Sequence, residues 1–171
     1  MGIMKRFLPL GFSIIFLLVL IGVTQLSGMK LLIYNYTDSL PHGIYLLHWG
    51  DFKKGDLVVF VPPERAATMI RERHYLRERD YLMKYLVGEK GDCIQTSNGQ
   101  FVVAGENYGE ILLHDKEGRA LPHYPFSGRV EEGYIVAVKG KKRSFDSRYF
   151  GPIQRSAILG RATPLWLFSD R

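Results

Sequence analysis

Leu31-Leu32-Ile33-Tyr34-Asn35-Tyr36-Thr37-Asp38-Ser39-Leu40-Pro41-His42-Gly43-Ile44-Tyr45-Leu46-Leu47-His48 is two apolar-rich runs around a polar break. Leu31–Tyr36 and Gly43–His48 are rich in residues that favour extended backbone and read as strands. Between them, Pro41 and Gly43 force a tight, fixed path just past Ser39. Such a path can expose the serine hydroxyl and aim its own N–H at a carbonyl oxygen. Thr37, two residues earlier, projects its hydroxyl to the same side of an extended chain. An ordinary Ser-Pro-Gly turn would account for the same residues.

Downstream the pattern continues. Asp56–Val61, Cys93–Thr96, Phe101–Ala104 and Tyr134–Val138 are further strand candidates, punctuated by Lys54-Gly55-Asp56, Gly91-Asp92, Asn98-Gly99 and Glu132-Gly133. Asn98-Gly99 is a two-residue hairpin signal. One soluble helix is expected after Pro62-Pro63, from about Glu64 through Glu72, because proline suits a helix start. Lys84 then falls on a separate strand or short helix. No internal repeat or low-complexity linker divides residues 30–171, which read as one mainly β unit with one helical insertion.

Upstream the character changes. Lys5 and Arg6 precede 23 residues, Phe7 to Met29, with no ionisable side chain, and Lys30 ends the run. Wound as a helix, they would span roughly 34 Å, against a hydrocarbon core about 30 Å thick. Residues 1–29 are therefore expected to be a cytoplasmic start and transmembrane anchor, with the positive pair keeping the N-terminus inside. A cleaved secretory signal shares the basic start, but its apolar centre is shorter and ends on a small-x-small site. Here Gln25 stands two positions before Ser27. The formal net charge of +6 suits a domain lying on an anionic lipid surface. No nucleic-acid fold signature accompanies it, so nucleic acid is not expected as a partner. The single cysteine, Cys93, excludes an intramolecular disulfide and a multi-cysteine metal site, and its thiol reads as packing.

A hydrolase built from these residues has few options. His42, His48, His74, His114 and His123 lie in no motif with mechanical meaning and have no zinc-ligand spacing, so neither a metal nor a cofactor is expected. A serine activated by lysine is the alternative. Lys84 lies in Tyr81-Leu82-Met83-Lys84-Tyr85-Leu86-Val87-Gly88, apolar and aromatic on both sides. An ordinary lysine is protonated at neutral pH, and desolvation lowers its pKa by up to several units. The same lysine could equally snorkel to solvent from a strand. A third segment, Ser144-Phe145-Asp146-Ser147-Arg148-Tyr149-Phe150-Gly151-Pro152, brings hydroxyls, a carboxylate and a guanidinium together. It could also be a solvated turn with a local Asp–Arg pair.

In this order, and behind an apolar N-terminal segment, the three segments resemble the signal peptidase I family of serine–lysine peptidases. Lys84, Gly88, Gly91 and Asp92 meet the family spacing K-x-x-x-G-x-x-G-D, and Ser144, Asp146, Ser147, Arg148, Tyr149 and Gly151 meet S-x-D-S-R-Y-x-G. Thr37 replaces the usual serine, no methionine follows Ser39, and Gly140-Lys141-Lys142-Arg143 replaces the G-D-N-R-x-N lead-in. The wording N-x-T-x-S-x-P-x-G-x-Y and SFDSRYFGP is similar instead to the conjugative-transfer, TraF-type pilin-processing branch. The resemblance implies a partly open β-barrel-like catalytic domain with an apolar edge on the membrane, where substrate could add a strand. It implies Ser39 as nucleophile, Lys84 as general base, and the Ser39 N–H and Thr37 hydroxyl as oxyanion hole. Ser144 would orient the lysine amine, and Asp146 with Arg148 would brace that corner, Asp146 with an added role in joining pilin ends. The implied partners are the bilayer and a membrane-inserted preprotein or pilin precursor, the implied location a bacterial inner membrane with the catalytic domain periplasmic. A housekeeping signal peptidase of broad range and an inactive membrane-anchored assembly factor are the alternatives.

Overall fold

The computed structural model of the protein describes residues 11, 13–16, 19, 32–76 and 81–168. The anchor expected over residues 1–29 lies outside them, except that Gly11, residues 13–16 and Val19 are helical and exposed. Among the described residues no helix is long and apolar enough to cross a membrane.

In chain order the elements are β1 (Leu32–Asn35), β2 (Gly43–Trp49), β3 (Leu57–Phe60), α1 (Glu64–Glu72), β4 (Leu82–Gly88), β5 (Cys93–Gln95), β6 (Gln100–Val103), β7 (Glu106–Glu110), β8 (Gly128–Arg129), β9 (Ile135–Ala137), α2 (Ser147–Phe150) and β10 (Ile158–Leu167). They form a six-stranded sheet, ordered β1-β2-β10-β3-β4-β9, and a four-stranded sheet, ordered β7-β6-β5-β8. All of the strand pairs are antiparallel. The fold is mainly β, and neither sheet closes on itself.

Local chemistry explains most of the elements. α1 begins straight after Pro63, as the Pro62-Pro63 pair predicts, and buries Ala66 and Ile70. Asn98 (φ 54°) and Gly99 (φ 68°) turn the chain between β5 and β6 through left-handed backbone, which this residue pair adopts readily. Every residue of β3 is buried, because both faces of the sheet are covered. Val58 and Phe60 join Ile70, Leu86, Val136 and Ile153, while Val59 packs with Ile33, Tyr45, Leu47 and Met83. A third cluster, including Val87, Ile94, Phe101, Val103 and Ile135, joins the two sheets. Cys93, expected as packing, is exposed. On β5 the inward position belongs to Ile94, and period two turns Cys93 outward.

The glycines after Lys84 have separate physical reasons. A Cβ on Gly88 would lie 2.7 Å from Val103 Cγ1 and 3.2 Å from Ile135 Cβ, so its bare backbone lets the second sheet close against β4. Gly91 (φ +95°) makes the turn towards β5, where the Asp92 carboxylate accepts from Glu89 N–H (2.9 Å) and Lys54 Nζ (2.7 Å). Gly88→Ala is accordingly expected to cost about 1–3 kcal/mol through overpacking, read as a lowered melting temperature. An unchanged midpoint would show that the sheets separate there without penalty.

Candidate active site

β1 and β2 pair down to Asn35 opposite Gly43, and residues 36–42 bridge them as the loop that carries Ser39. Asn35 is 3% exposed and its carboxamide fills the inside of this loop. Nδ2 donates towards the carbonyls of Thr37, Leu40 and Pro41, each at 3.1 Å. Oδ1 accepts from the Thr37 hydroxyl at 2.7 Å and the Thr37 N–H at 3.3 Å. Tyr45 donates its hydroxyl to the Pro41 carbonyl at 2.8 Å, and Leu40 is buried in the core. Thr37 Oγ1 then stands 3.4 Å from Ser39 Oγ.

Lys84 sits in mid-sheet, opposite Val58. Alternation would expose a strand lysine, but Tyr85 takes the outward position and Lys84 is 5% exposed. Its Nζ lies 2.7 Å from Ser39 Oγ. Burial lowers the Lys84 pKa to about 8; Asp146 pulls it upward and Arg148 pushes it down. A buried amine that is substantially neutral near that pH can take a proton from a hydroxyl at this distance, whereas the ammonium cannot. Among the described residues no histidine bonds Ser39: His42 pairs with Asp38 at 3.3 Å and His48 Nε2 meets Thr163 Oγ1 at 2.8 Å.

The third segment forms the corner behind the lysine. Asp146 accepts from the backbone N–H of Arg148 at the start of α2. Its carboxylate receives Arg148 Nε and Nη2, both at 2.8 Å, with both residues fully buried. Burial opposes the Arg148 charge, but the Asp146 carboxylate overrides it and holds the guanidinium pKa above its ordinary value. Nη2 also reaches the carbonyls of Lys141 and Ser144, both at 3.1 Å, and Nη1 reaches that of Glu110 at 3.3 Å, tying residues 141–146 to β7. Ser147, buried and without a role expected from sequence, accepts the Val136 N–H at 2.9 Å and fixes β9. Ser144 is 2% exposed and its Oγ has no hydrogen-bond partner. The bond expected from it to the lysine amine is not made in this structure.

Ser39, Thr37, Lys84 and Ser144 all line one cleft of about 610 Å³. Its far wall is held by Asp115, which sequence reading did not single out. That carboxylate accepts from Tyr75 OH (2.7 Å), Arg119 Nε (2.7 Å) and Arg73 Nη1 (3.3 Å). Partial desolvation opposes its charge, yet these donors and the backbone N–H groups of Glu117 and Arg119 hold its carboxyl far below the usual carboxylate range. The cluster joins the end of α1 to the 112–121 segment. Among the described residues no group of three or more His, Cys, Asp or Glu could hold a metal ion.

The family described as signal peptidase, peptidase S26, matches residues 4–167. The chain is 30% identical over 161 residues to a plasmid transfer protein TraF of Escherichia coli, covering 86% of this chain and 88% of that one. It is 32% identical over 165 residues to a conjugal transfer protein TraF of Agrobacterium fabrum, covering 88% and 91%. A probable signal peptidase I-2 of Synechocystis is 30% identical over 115 residues, covering 66% of this chain and 47% of its own.

Proposed function

The chain belongs to the S26 family of signal peptidases, and on that footing we propose that it is a membrane-bound serine endopeptidase that processes an exported precursor. The observation that carries this reading is the 2.7 Å contact between Ser39 Oγ and the buried Lys84 amine. Ser39 Oγ attacks the scissile carbonyl carbon as Lys84 Nζ takes its proton. The oxyanion is met by the Ser39 N–H and by the Thr37 hydroxyl, which turns from Asn35 to reach it. Collapse breaks the C–N bond, and Lys84 returns the proton to the departing amine. The Ser39 ester is then released by water or by an amine of the substrate itself, which would close the product into a ring.

For the substrate we propose a pilin precursor of conjugative transfer, because the relatives above matched over most of their length are plasmid and conjugal transfer proteins. Residues 1–29 would anchor the chain in a bacterial inner membrane, N-terminus inside, with residues 30–171 periplasmic. The exposed Leu32, Tyr34, Leu165 and Trp166, on β1 and the end of β10, support an edge lying against lipid. β1 is an edge strand of its sheet, and its free side suits a substrate added as a strand.

The test is mass spectrometry of a candidate pilin co-expressed with the wild-type chain or with Ser39→Ala. A precursor shortened only by the wild type supports the reading, and a product lighter than the hydrolysed form by one water identifies ring closure. Equal processing of many unrelated preproteins would indicate a broad-range signal peptidase. Unchanged precursors throughout would indicate an assembly factor.

The pH profile is a second expected outcome. The neutral amine is the active form, and its pKa is about 8. The single-turnover rate should therefore climb close to tenfold per pH unit below that value and level off above it. An unshifted histidine or carboxylate base would already be at its plateau near pH 7. A flat profile from about pH 6 to 9, with chemistry rate-limiting, would remove Lys84 from the role of base.

A further inference from the structure

The Ser39 loop is organised by a side chain to which neither the family resemblance nor the mechanism above assigns a role. Asn35 presents two N–H hydrogens to three carbonyl oxygens at 3.1 Å and accepts both the hydroxyl and the N–H of Thr37. A carboxamide offers two N–H donors and an acceptor oxygen on one short planar group. Aspartate would place charge against three carbonyls, and leucine, of similar size, would remove all five of these hydrogen bonds. Glutamine adds a methylene that would shift the carboxamide away from the five groups it bonds.

The Thr37 contact gives this arrangement its chemical meaning. Asn35 Oδ1 can only accept, so the Thr37 hydroxyl proton points at Asn35 and its lone pairs are left facing Ser39 Oγ, 3.4 Å away. Ser39 Oγ is thus set between the Thr37 hydroxyl oxygen on one side and the Lys84 amine on the other. The second tie to the loop, from Tyr45, shares the Pro41 carbonyl with Asn35 and makes no bond to Thr37 or Ser39.

We propose that Asn35 is a positioning residue of this site: through Thr37 and the loop carbonyls, its carboxamide holds Ser39 Oγ against the Lys84 amine. The inference rests on the peptidase reading and deepens it. Misplacing a reacting atom by about 1 Å costs roughly 10²-fold in rate. Asn35→Ala and Asn35→Asp are therefore expected to lower kcat roughly 10²-fold with KM changed less than about threefold, since every hydrogen bond of the carboxamide goes to a group of its own loop. Tyr45→Phe removes a tie to the same loop but leaves Thr37 in place, and its kcat should stay within about threefold of wild type. In a Thr37→Val background the further effect of Asn35→Ala should shrink severalfold, because the two act as one unit.

The experiment measures kcat and KM on the precursor, and in parallel the rate at which a p-nitrophenyl ester acylates Ser39, read by mass spectrometry of the Ser39 peptide. All variants are compared at pH 9, where the wild-type amine is mostly neutral, with folded fraction checked by melting. Slow acylation in folded Asn35→Ala, with Tyr45→Phe near wild type, is the expected result. Wild-type acylation rates in folded Asn35→Ala overturn the inference whatever the precursor assay gives. Equal losses in Asn35→Ala and Tyr45→Phe would reduce Asn35 to a loop tie and also overturn it. A wild-type chain that neither cleaves precursor nor acylates at Ser39 takes down the peptidase reading, and this inference with it.

Discussion

Lys84→Arg is expected to lose cleavage by on the order of 10⁴–10⁶ in turnover, with Ser39→Ala falling as far. The guanidinium stays protonated at any working pH and cannot accept the serine proton. Because the two side chains form one unit, the double variant should be no worse than either single. Lys84→Met separates the chemistry from the folding. The unfolded chain holds its lysine proton up to the ordinary value near 10.5, whereas the folded chain releases it at about 8. Between those values the unfolded state binds more protons, so stability should rise with pH across that window. Below it, the buried ammonium costs the fold roughly 3 kcal/mol at most. Lys84→Met should thus be inactive yet melt higher than wild type at pH 7, and should lose the rise in stability above pH 8. Substantial cleavage by Lys84→Ala would end the serine–lysine mechanism. A Lys84→Met variant no more stable than wild type would show that the amine is better solvated than its 5% exposure implies.

Arg148→Met is expected to cost about 3–5 kcal/mol, because it strands Asp146 as an unpaired charge in a fully buried site. The loss has a second part. Three carbonyls, of Glu110, Lys141 and Ser144, lose their donor together, and they hold the 141–146 wall of the cleft. Adding Asp146→Asn to the same chain should recover part of the stability, since the buried charge is gone, but not the loss due to the carbonyls. Chemical denaturation of the single and double variants separates the two contributions. Full recovery in the double variant would mean that the carbonyls find water, and that Arg148 serves only its ion pair. No recovery would mean that the ion pair is secondary to the loop ties.

Some of this architecture is legible locally. The strand runs at 43–49, 57–60, 93–95 and 100–103, and the helix at Glu64–Glu72, fall within a residue or two of the elements expected. Apolar alternation, Pro62-Pro63 and Asn98-Gly99 act through backbone preferences within a few residues. β10 escaped such a reading. It carries Gly160 and Pro164, residues that argue against a central strand, yet it lies between β2 and β3, with irregularities beside both residues. The bulges absorb what local preference forbids, and each is defined by the register with a partner strand far away in the sequence.

The candidate site divides in the same way. Ser39, Lys84, Asp146 and Arg148 stand out in sequence because their short boxes occur in a family order. Asn35 lay in plain view inside its box, yet nothing in the sequence tells a turn-forming asparagine at a strand end from one that grips Thr37. Asp115 has no motif at all, since its three side-chain donors come from Arg73, Tyr75 and Arg119. The amino-acid order by itself determined which residues can do the chemistry, a mainly β chain, and the family, because side-chain type and local backbone preference are properties of short segments. The tertiary structure alone decided that Ser39 meets Lys84 across 45 residues, that this amine is stripped of water, and that the Ser144 hydroxyl is left unbonded. Desolvation and hydrogen-bond geometry are sums over neighbours delivered by strands far apart in the chain, and no local stretch of sequence contains those sums.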